Sequence, residues 1–196
     1  MARKAQLSRQ TRETDISVSL NLDGKGETNI VTGIGFFDHL LDALGKHAAF
    51  DLEVKAKGDL HIDGHHTVED TGIVLGQAFA QAIGNAAGIT RFGSAFCPLD
   101  EALARTVVDI SGRGFLHYDC GLSPAMVGAF DSELFPEFLR AFAANAKLTL
   151  HVSLLYGENR HHALESMIKS VARALRMAVS PDERSGAIPS TKGVLI

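Results

Sequence analysis

Cysteine is scarce in this chain, and the little there is makes no motif. Cys97 and Cys120 stand alone without CxxC spacing. A disulfide framework and a four-thiolate zinc site are therefore excluded, and both read as small packing residues in a reduced compartment, taken as the cytoplasm. Basic excess is missing too. The 19 Lys and Arg against 23 Asp and Glu give a net charge of -4, which leaves no global field for nonspecific nucleic-acid binding. No apolar run approaches the roughly 20 residues that a membrane-spanning helix needs. The opening stretch MARKAQLSRQTRETD is too polar for the apolar segment of a signal peptide. With 45% hydrophobic and 21% charged residues over 196 positions, the chain has the balance of one globular domain rather than of a disordered segment.

Histidine is what the chain has in quantity. There are nine, and histidine titrates near neutrality and is the commonest metal ligand. Four of them form two HH pairs, in DGHHTVED (63–70) and NRHHALE (159–165), so the spacing HHxxE occurs twice.

The periodicity around the pairs repeats as well. Residues 14–22, TDISVSLNL, alternate apolar and polar as a half-buried strand closed by Asp23-Gly24, and 27–34 reads as its hairpin partner. FFDHLLDALGKHAAF (36–50) switches to helical spacing, DLEVKAKGDLHI returns to period two, and 65–84 reads as a second helix. Residues 88–100 read as a connection. Beyond it, 103–110 and 114–120 look like paired strands around Ser111-Gly112-Arg113, 134–146 is helical, KLTLHVSLL is a strand and 161–179 a long final helix before the tail 181–196. FFDHLLDAL aligns with LFPEFLRAF, DLEVKA with KLTLHV, and HHTVED with HHALES. His39 lies 26 residues before His65, and its counterpart Glu137 lies 24 before His161. Matches in this order predict an internal duplication. One domain is expected, built of two repeats at about 8–88 and 98–180, α+β, with each sheet covering its own pair of helices and the helices between the sheets.

On a helix each residue advances about 100°, so His65 and Glu69 share a face while His66 points well away. Adjacent histidines do not readily chelate one ion. The motif suits one histidine, with the carboxylate, presented to one metal and the other histidine to a second. His161, Glu165 and His162 repeat that geometry. Such half-sets must be completed by the opposite repeat, by a neighbouring subunit, or by the aligned positions His39 and Glu137. Imidazole and carboxylate without thiolate favour Mn, Fe, Co, Ni or Zn in six-coordinate geometry. Of the other histidines, His47 is explained by complementing a helix C-terminus, and His61, His117 and His151 fall on polar faces of strands.

Seven segments carry a family resemblance: RQTRETDISVSLNLDG, GIGFFDHLLDAL, GDLHIDGHHTVEDTGIVLG, ITRFGSAFCPLDEAL, VDISGRGFL, LTLHVSLLYGENRHHALES and IPSTKGVL. In this order they resemble imidazoleglycerol-phosphate dehydratase of histidine biosynthesis, over residues from about 8 to 195. The resemblance implies loss of water from D-erythro-imidazole-glycerol phosphate to give imidazole-acetol phosphate. It also implies two Mn(II) ions per chain, assembly of 24 subunits with sites between them, and two four-stranded sheets sandwiching four helices, each half like ribosomal protein S5 domain 2. Carried over by motif, the metal ligands are His39, His65, His66, Glu69, His161, His162 and Glu165, with Glu137 the eighth, where relatives can place histidine. Glu13 is expected to move the proton, with His66 or Glu69 assisting. Glu13, Arg91, Arg113, Ser190 and Lys192 are expected to bind substrate, the last four as a clamp on its phosphate. Asp100 and Glu101 are possible supporting groups whose roles stay open. No phosphatase domain of the kind fused to some relatives precedes these motifs, so dehydration alone is expected. The competing readings are a dinuclear metallohydrolase of a phosphate ester and a nonenzymatic metal cage; RNA binding is disfavoured by the negative charge.

Overall fold

The computed structural model describes residues 3–195. The first sheet contains β1 (Lys4–Gln10), β2 (Thr14–Asn21), β3 (Thr28–Val31) and β4 (Asp51–Gly58), in spatial order β1-β2-β4-β3. The second contains β5 (Phe92–Leu99), β6 (Ala102–Asp109), β7 (Phe115–Asp119) and β10 (Thr149–Tyr156), in order β5-β6-β10-β7. β8 (Met126–Val127) and β9 (Phe130–Asp131) form a small separate ribbon. Each main sheet has two antiparallel pairings and one parallel pairing at the same place in its order. The architecture is therefore α+β, one topology used twice. β1 and β5 begin several residues ahead of the repeat starts expected at 8 and 98.

Two pairings differ from the sequence reading. β3 does not form a hairpin with β2 but lies parallel to β4, with Ile30 opposite Val54. β7 is not the partner of β6; it runs parallel to β10, with His151 opposite His117. In both cases the strand that follows the helix inserts between two strands adjacent in sequence, and local alternation carries no signal for that insertion. Residues 88–100, read as a connection, instead supply β5. Its burial alternates, but its exposed face carries Phe92 and Phe96, exposed at 55% and 60%, and these outward apolar residues mask the period of two in the sequence.

The four helices are α1 (Gly35–Ala48), α2 (His65–Ile83), α3 (Leu134–Ala146) and α4 (Arg160–Val179). They form the layers between the sheets. Inward residues of the strands, among them Ile16, Val18, Val54, Ala104, Leu150 and Val152, are fully or almost fully buried beneath them. The helix layers meet through aromatic contacts between repeats: Phe37 stands edge-on to Phe138 with centroids 5.3 Å apart, and Phe79 to Phe142 at 5.8 Å. Because these contacts join the halves through one continuous core, neither half can lose its packing without exposing the other.

α2 and α3 run side by side in the same direction, Gly72 against Phe138 and Ala141, Gly76 against Phe142 and Asn145. α1 and α4 are likewise neighbours, His39 on the second turn of one meeting Glu165 on the second turn of the other. No helix among the described residues is long and apolar enough to cross a membrane.

Candidate metal centre

Both HHxxE motifs open a helix, the first at the start of α2 and the second at the start of α4. Local capping fixes where each begins. The Asn159 side chain accepts the His162 backbone N–H at 3.2 Å, and Asp63 accepts that of His65 at 2.8 Å. These short polar side chains satisfy amides that an N-terminal turn leaves free.

Helical spacing places His161 and Glu165 on one face, and α1 brings His39 to them. His39 Nε2 and His161 Nε2 lie 3.0 and 2.9 Å from the same oxygen, Glu165 Oε2. The ligand atoms of all three lie within 4.8 Å of one another. Phe36 forms an apolar wall, its ring 4.9 Å from that of His161 and 6.0 Å from that of His39. The other Glu165 oxygen accepts from Lys169 Nζ at 2.6 Å. Burial alone would raise the Glu165 carboxyl, but Lys169 and His39 outweigh it and pull the group down to about 2, so it is ionised whenever a cation could bind. Two imidazoles and one carboxylate suit a divalent first-row ion, with positions left for further ligands.

The other half-set is gathered less closely. His65 Nε2 and Glu69 Oε2 lie 3.9 Å apart on one face of α2. Glu137 instead pairs with Arg140 on its own helix. Among the described residues, only His39, His161 and Glu165 form a close set of three.

The second histidine of each pair turns away from the first, with ring planes 86° apart for His65 and His66 and 88° apart for His161 and His162. Each finds a carboxylate. His66 Nδ1 lies 3.0 Å from Asp59 Oδ2 and 3.9 Å from Glu13 Oε2. His162 Nδ1 lies 2.7 Å from Glu101 Oε2. The hydrogen bond from His162, helped by the Asn159 amide, holds Glu101 at about 2, and the one from His66 holds Asp59 below the usual carboxylate range. Both histidines are raised in turn by these partners. His47 is lowered, first by burial and then by Lys169 and Arg173.

The expected phosphate clamp lies elsewhere. Arg91 follows α2 and pairs with Asp109 at 2.7 Å, while its Nη1 donates to Pro189 O at 2.7 Å. Its backbone is left-handed, φ 72°, a conformation that costs a non-glycine residue of order 1 kcal/mol or more and clusters at functional sites. The Arg91 N–H donates to Ala178 O near the end of α4. Arg113 sits in the β6–β7 turn, its Nη1 donating to Ser111 O at 3.2 Å. Ser190 accepts the Lys192 N–H at 3.2 Å, and the Lys192 side chain is exposed. Arg91, and through Pro189 the tail that carries Ser190, therefore lie at the C-terminal end of α4, whereas His161 and His162 open its N-terminus. From His162 to Ala178 the helix rises roughly 24 Å at about 1.5 Å per residue.

Sequence reasoning missed Lys169 and Phe36 beside the centre and Asp59 beside His66. Lys169 was legible as the i+4 partner of Glu165. Asp59 lies beyond the strand end in an irregular loop, and no pattern marked it.

Fold and donors together define a class, a duplicated α+β protein with a histidine–carboxylate cluster of the kind that can hold a metal ion. The imidazoleglycerol-phosphate dehydratase family model matches residues 32–175. Relatives of that name include one from Gluconobacter oxydans, 61% identical over 99% of this chain and 98% of that protein, and one from Gluconacetobacter diazotrophicus, 59% identical over the same shares. Among solved structures, the imidazoleglycerol-phosphate dehydratase of Staphylococcus aureus superposes with a TM-score of 0.83 at 39% identity, covering 91% of this chain and 99% of that one. That of Pyrococcus furiosus gives 0.83 at 36%, covering 96% and 100%. The chain belongs to the imidazoleglycerol-phosphate dehydratase family.

Proposed function

We infer that this protein is a metal-dependent hydro-lyase that converts D-erythro-imidazole-glycerol phosphate to imidazole-acetol phosphate in histidine biosynthesis. The observation that carries the reading is the convergence of His39, His161 and Glu165 from two helices in a chain of this family. The ion is Mn(II), two per chain, held by His39, His65, His66, Glu69, Glu137, His161, His162 and Glu165. Bound there, a divalent cation supplies Lewis acidity and a template for the substrate ring.

Glu13 takes the proton from the carbon bearing the second hydroxyl. The hydroxyl on the carbon beside the ring leaves and, with a proton, becomes water; the enol that remains tautomerises to the ketone. Glu13 suits this work because its side chain is 56% exposed and free of any ion pair closer than the 3.9 Å approach to His66, so it can reach a substrate C–H. His66 and Glu69 assist from the start of α2. Arg91, Arg113, Ser190 and Lys192 hold the phosphate with cationic and hydroxyl donors.

The separation of these groups supports an assembled active form. A three-carbon chain between ring and phosphate cannot span the roughly 24 Å of α4 that divides the centre from the clamp. Supply of the two by different subunits accounts for this, and the assembly proposed is a homo-oligomer of 24 in the cytoplasm, each chain being one domain of two repeats. Phe92, Phe96 and Phe115, each more than half exposed on the outer face of the second sheet, give such contacts apolar area.

A dinuclear hydrolase would use similar ligands but would release phosphate. The deciding experiment strips the protein with chelator and follows imidazole-acetol phosphate before and after Mn(II) is added. Activity lost on stripping and restored by Mn(II) is expected. Inactivity in both states with stoichiometric metal bound, or release of free phosphate, overturns the assignment.

A further inference from the structure

The two sheets can be overlaid residue by residue from their pairing. Gly58 stands opposite Thr14, the first residue of β2, and the Cα hydrogen of Gly157 faces Ala102, the first residue of β6. Thr14 therefore corresponds to Ala102. Stepping back one residue, Glu13 corresponds to Glu101, each the last residue of its hairpin turn. Stepping forward from the glycines, Asp59 corresponds to Glu158. Each repeat thus offers two acids to the second histidine of its pair, one from the hairpin and one from the strand end.

The repeats choose differently. In the second, the hairpin acid takes the histidine: Glu101 Oε2 accepts from His162 Nδ1 at 2.7 Å, while Glu101 Oε1 accepts the backbone N–H of Asn159 at 2.8 Å and of Glu158 at 3.2 Å. In the first, the strand-end acid takes it: Asp59 accepts from His66 Nδ1 at 3.0 and 3.2 Å, and the hairpin acid Glu13 stays 3.9 Å off. Loop length gives the reason. Five residues lie between Asp59 and His65 but only two between Glu158 and His161. The longer loop lets Asp59 fold back under the imidazole. The shorter one holds Glu158 too close to the helix start, where its backbone N–H binds Glu101.

We propose that Asp59 and Glu101 are positioning residues, each holding one imidazole by its Nδ1–H so that Nε2 is the nitrogen left to ligate, and that the use of Asp59 in the first repeat is what frees Glu13, the counterpart of Glu101, to move a proton. This rests on the metal-dependent dehydratase reading above. A ligating histidine whose other nitrogen donates to a carboxylate is fixed in tautomer and orientation, and losing that partner weakens metal binding. One duplicated design thereby yields two oriented histidines but only one mobile carboxylate.

The test is Mn(II) binding to the full chain, with free Mn(II) followed by its paramagnetic resonance signal and dehydration assayed in parallel. Asp59→Ala and Glu101→Ala each weaken binding of part of the Mn(II) by roughly 10- to 100-fold. Asp59→Asn and Glu101→Gln, which keep an acceptor oxygen, recover most of that loss and guard against a folding defect from the amides Glu101 also holds. Glu158→Gln binds Mn(II) as the unaltered protein does, and Glu13→Gln binds it normally while losing dehydration. Unchanged affinity in both alanine variants overturns the proposal, as does a loss in Glu158→Gln equal to that in Glu101→Ala. An active Glu13→Gln variant with weakened Asp59→Ala and Glu101→Ala binding leaves the positioning roles standing and removes the proton-transfer role from Glu13.

Discussion

Replacing Gly76 by alanine sets two effects of opposite sign against each other. Gly76 lies inside α2, where alanine is favoured over glycine by about 1 kcal/mol. Its added Cβ, however, would lie 2.7 Å from Phe142 O, 2.8 Å from Asn145 Cβ and 2.9 Å from Ala146 N, all on α3. Two of those atoms are backbone, so no rotamer change relieves the contact, and the helices must separate until the nearest distance reaches ordinary contact at 3.4 Å or more. Gly72 makes the same approach one turn earlier, its Cβ meeting Phe138 O at 2.7 Å and Ala141 Cβ at 2.9 Å. Wedging a close-packed interface costs about 1–3 kcal/mol, and the shift also loosens Phe79 against Phe142. The expected net effect is a loss of about 1 kcal/mol for Gly76→Ala and about 2 for the pair, after the helical gain is subtracted. For a chain of this size that lowers the melting temperature by roughly 2–4 °C per kcal/mol. Calorimetry at one fixed protein concentration reads it, since assembly makes melting concentration-dependent. A melting temperature that rises for Gly76→Ala would refute the close approach of α2 and α3.

Three further outcomes follow from the centre, the clamp and the first sheet. Glu165→Gln turns the carboxylate shared by His39 and His161 into a neutral amide, so Mn(II) affinity measured against a competing chelator falls by more than about tenfold; an unchanged affinity would remove these three residues from the metal site. Arg91→Ala leaves the half-buried Asp109 without its partner and costs about 1–3 kcal/mol of stability in urea unfolding, while raising KM for the substrate more than it lowers kcat; an unaltered KM would take Arg91 out of the clamp. Asp51 accepts the Lys25 N–H at 2.8 Å and the Asn21 amide at 2.9 Å, which hold it below its ordinary value of 3.8. A depressed carboxyl stabilises the fold above its unfolded value and loses that contribution as pH falls through the folded one. The stability gap between the unaltered protein and Asp51→Ala, present at pH 6, should therefore narrow below about pH 3.8; a gap constant down to pH 3 would refute the ionic contribution.

The helices were legible because their apolar spacing is long and regular: α3 begins and ends where 134–146 placed it, and α2 within a residue. The strand partners were not. Both third strands, β3 and β7, pair parallel with a strand that arrives after a helix, and that choice is made by packing the helix back onto the sheet. The expected grouping of Glu137 with the metal ligands rested on aligning α1 with α3; Arg140, its i+3 neighbour on α3, holds its carboxylate instead, a pairing that helical spacing made legible. The tail is tied down through Arg91 to Pro189 O and Gly88 N–H to Ala187 O, contacts between segments about a hundred residues apart that no local pattern reports.

The separation between centre and clamp has a consequence that a single mixing experiment reads. If each active site takes metal ligands from one chain and phosphate donors from another, a chain defective in its centre and a chain defective in its clamp are both inactive alone but complementary together. Glu165→Gln supplies the first defect and Arg91→Ala the second, and the roughly 20 Å of α4 between Glu165 and the Arg91 contact at Ala178 keeps either change from disturbing the other within a chain. Chelator-stripped variants mixed in equal amounts and reassembled with Mn(II) would place an intact centre beside an intact clamp at about a quarter of the shared sites, if subunits exchange at random. Dehydration should then rise from the level of either variant toward a quarter of that of the unaltered protein. Variants that exchange subunits, as mass analysis of the mixed particles would show, yet regain no activity would place centre and clamp in one chain, and with them the whole site.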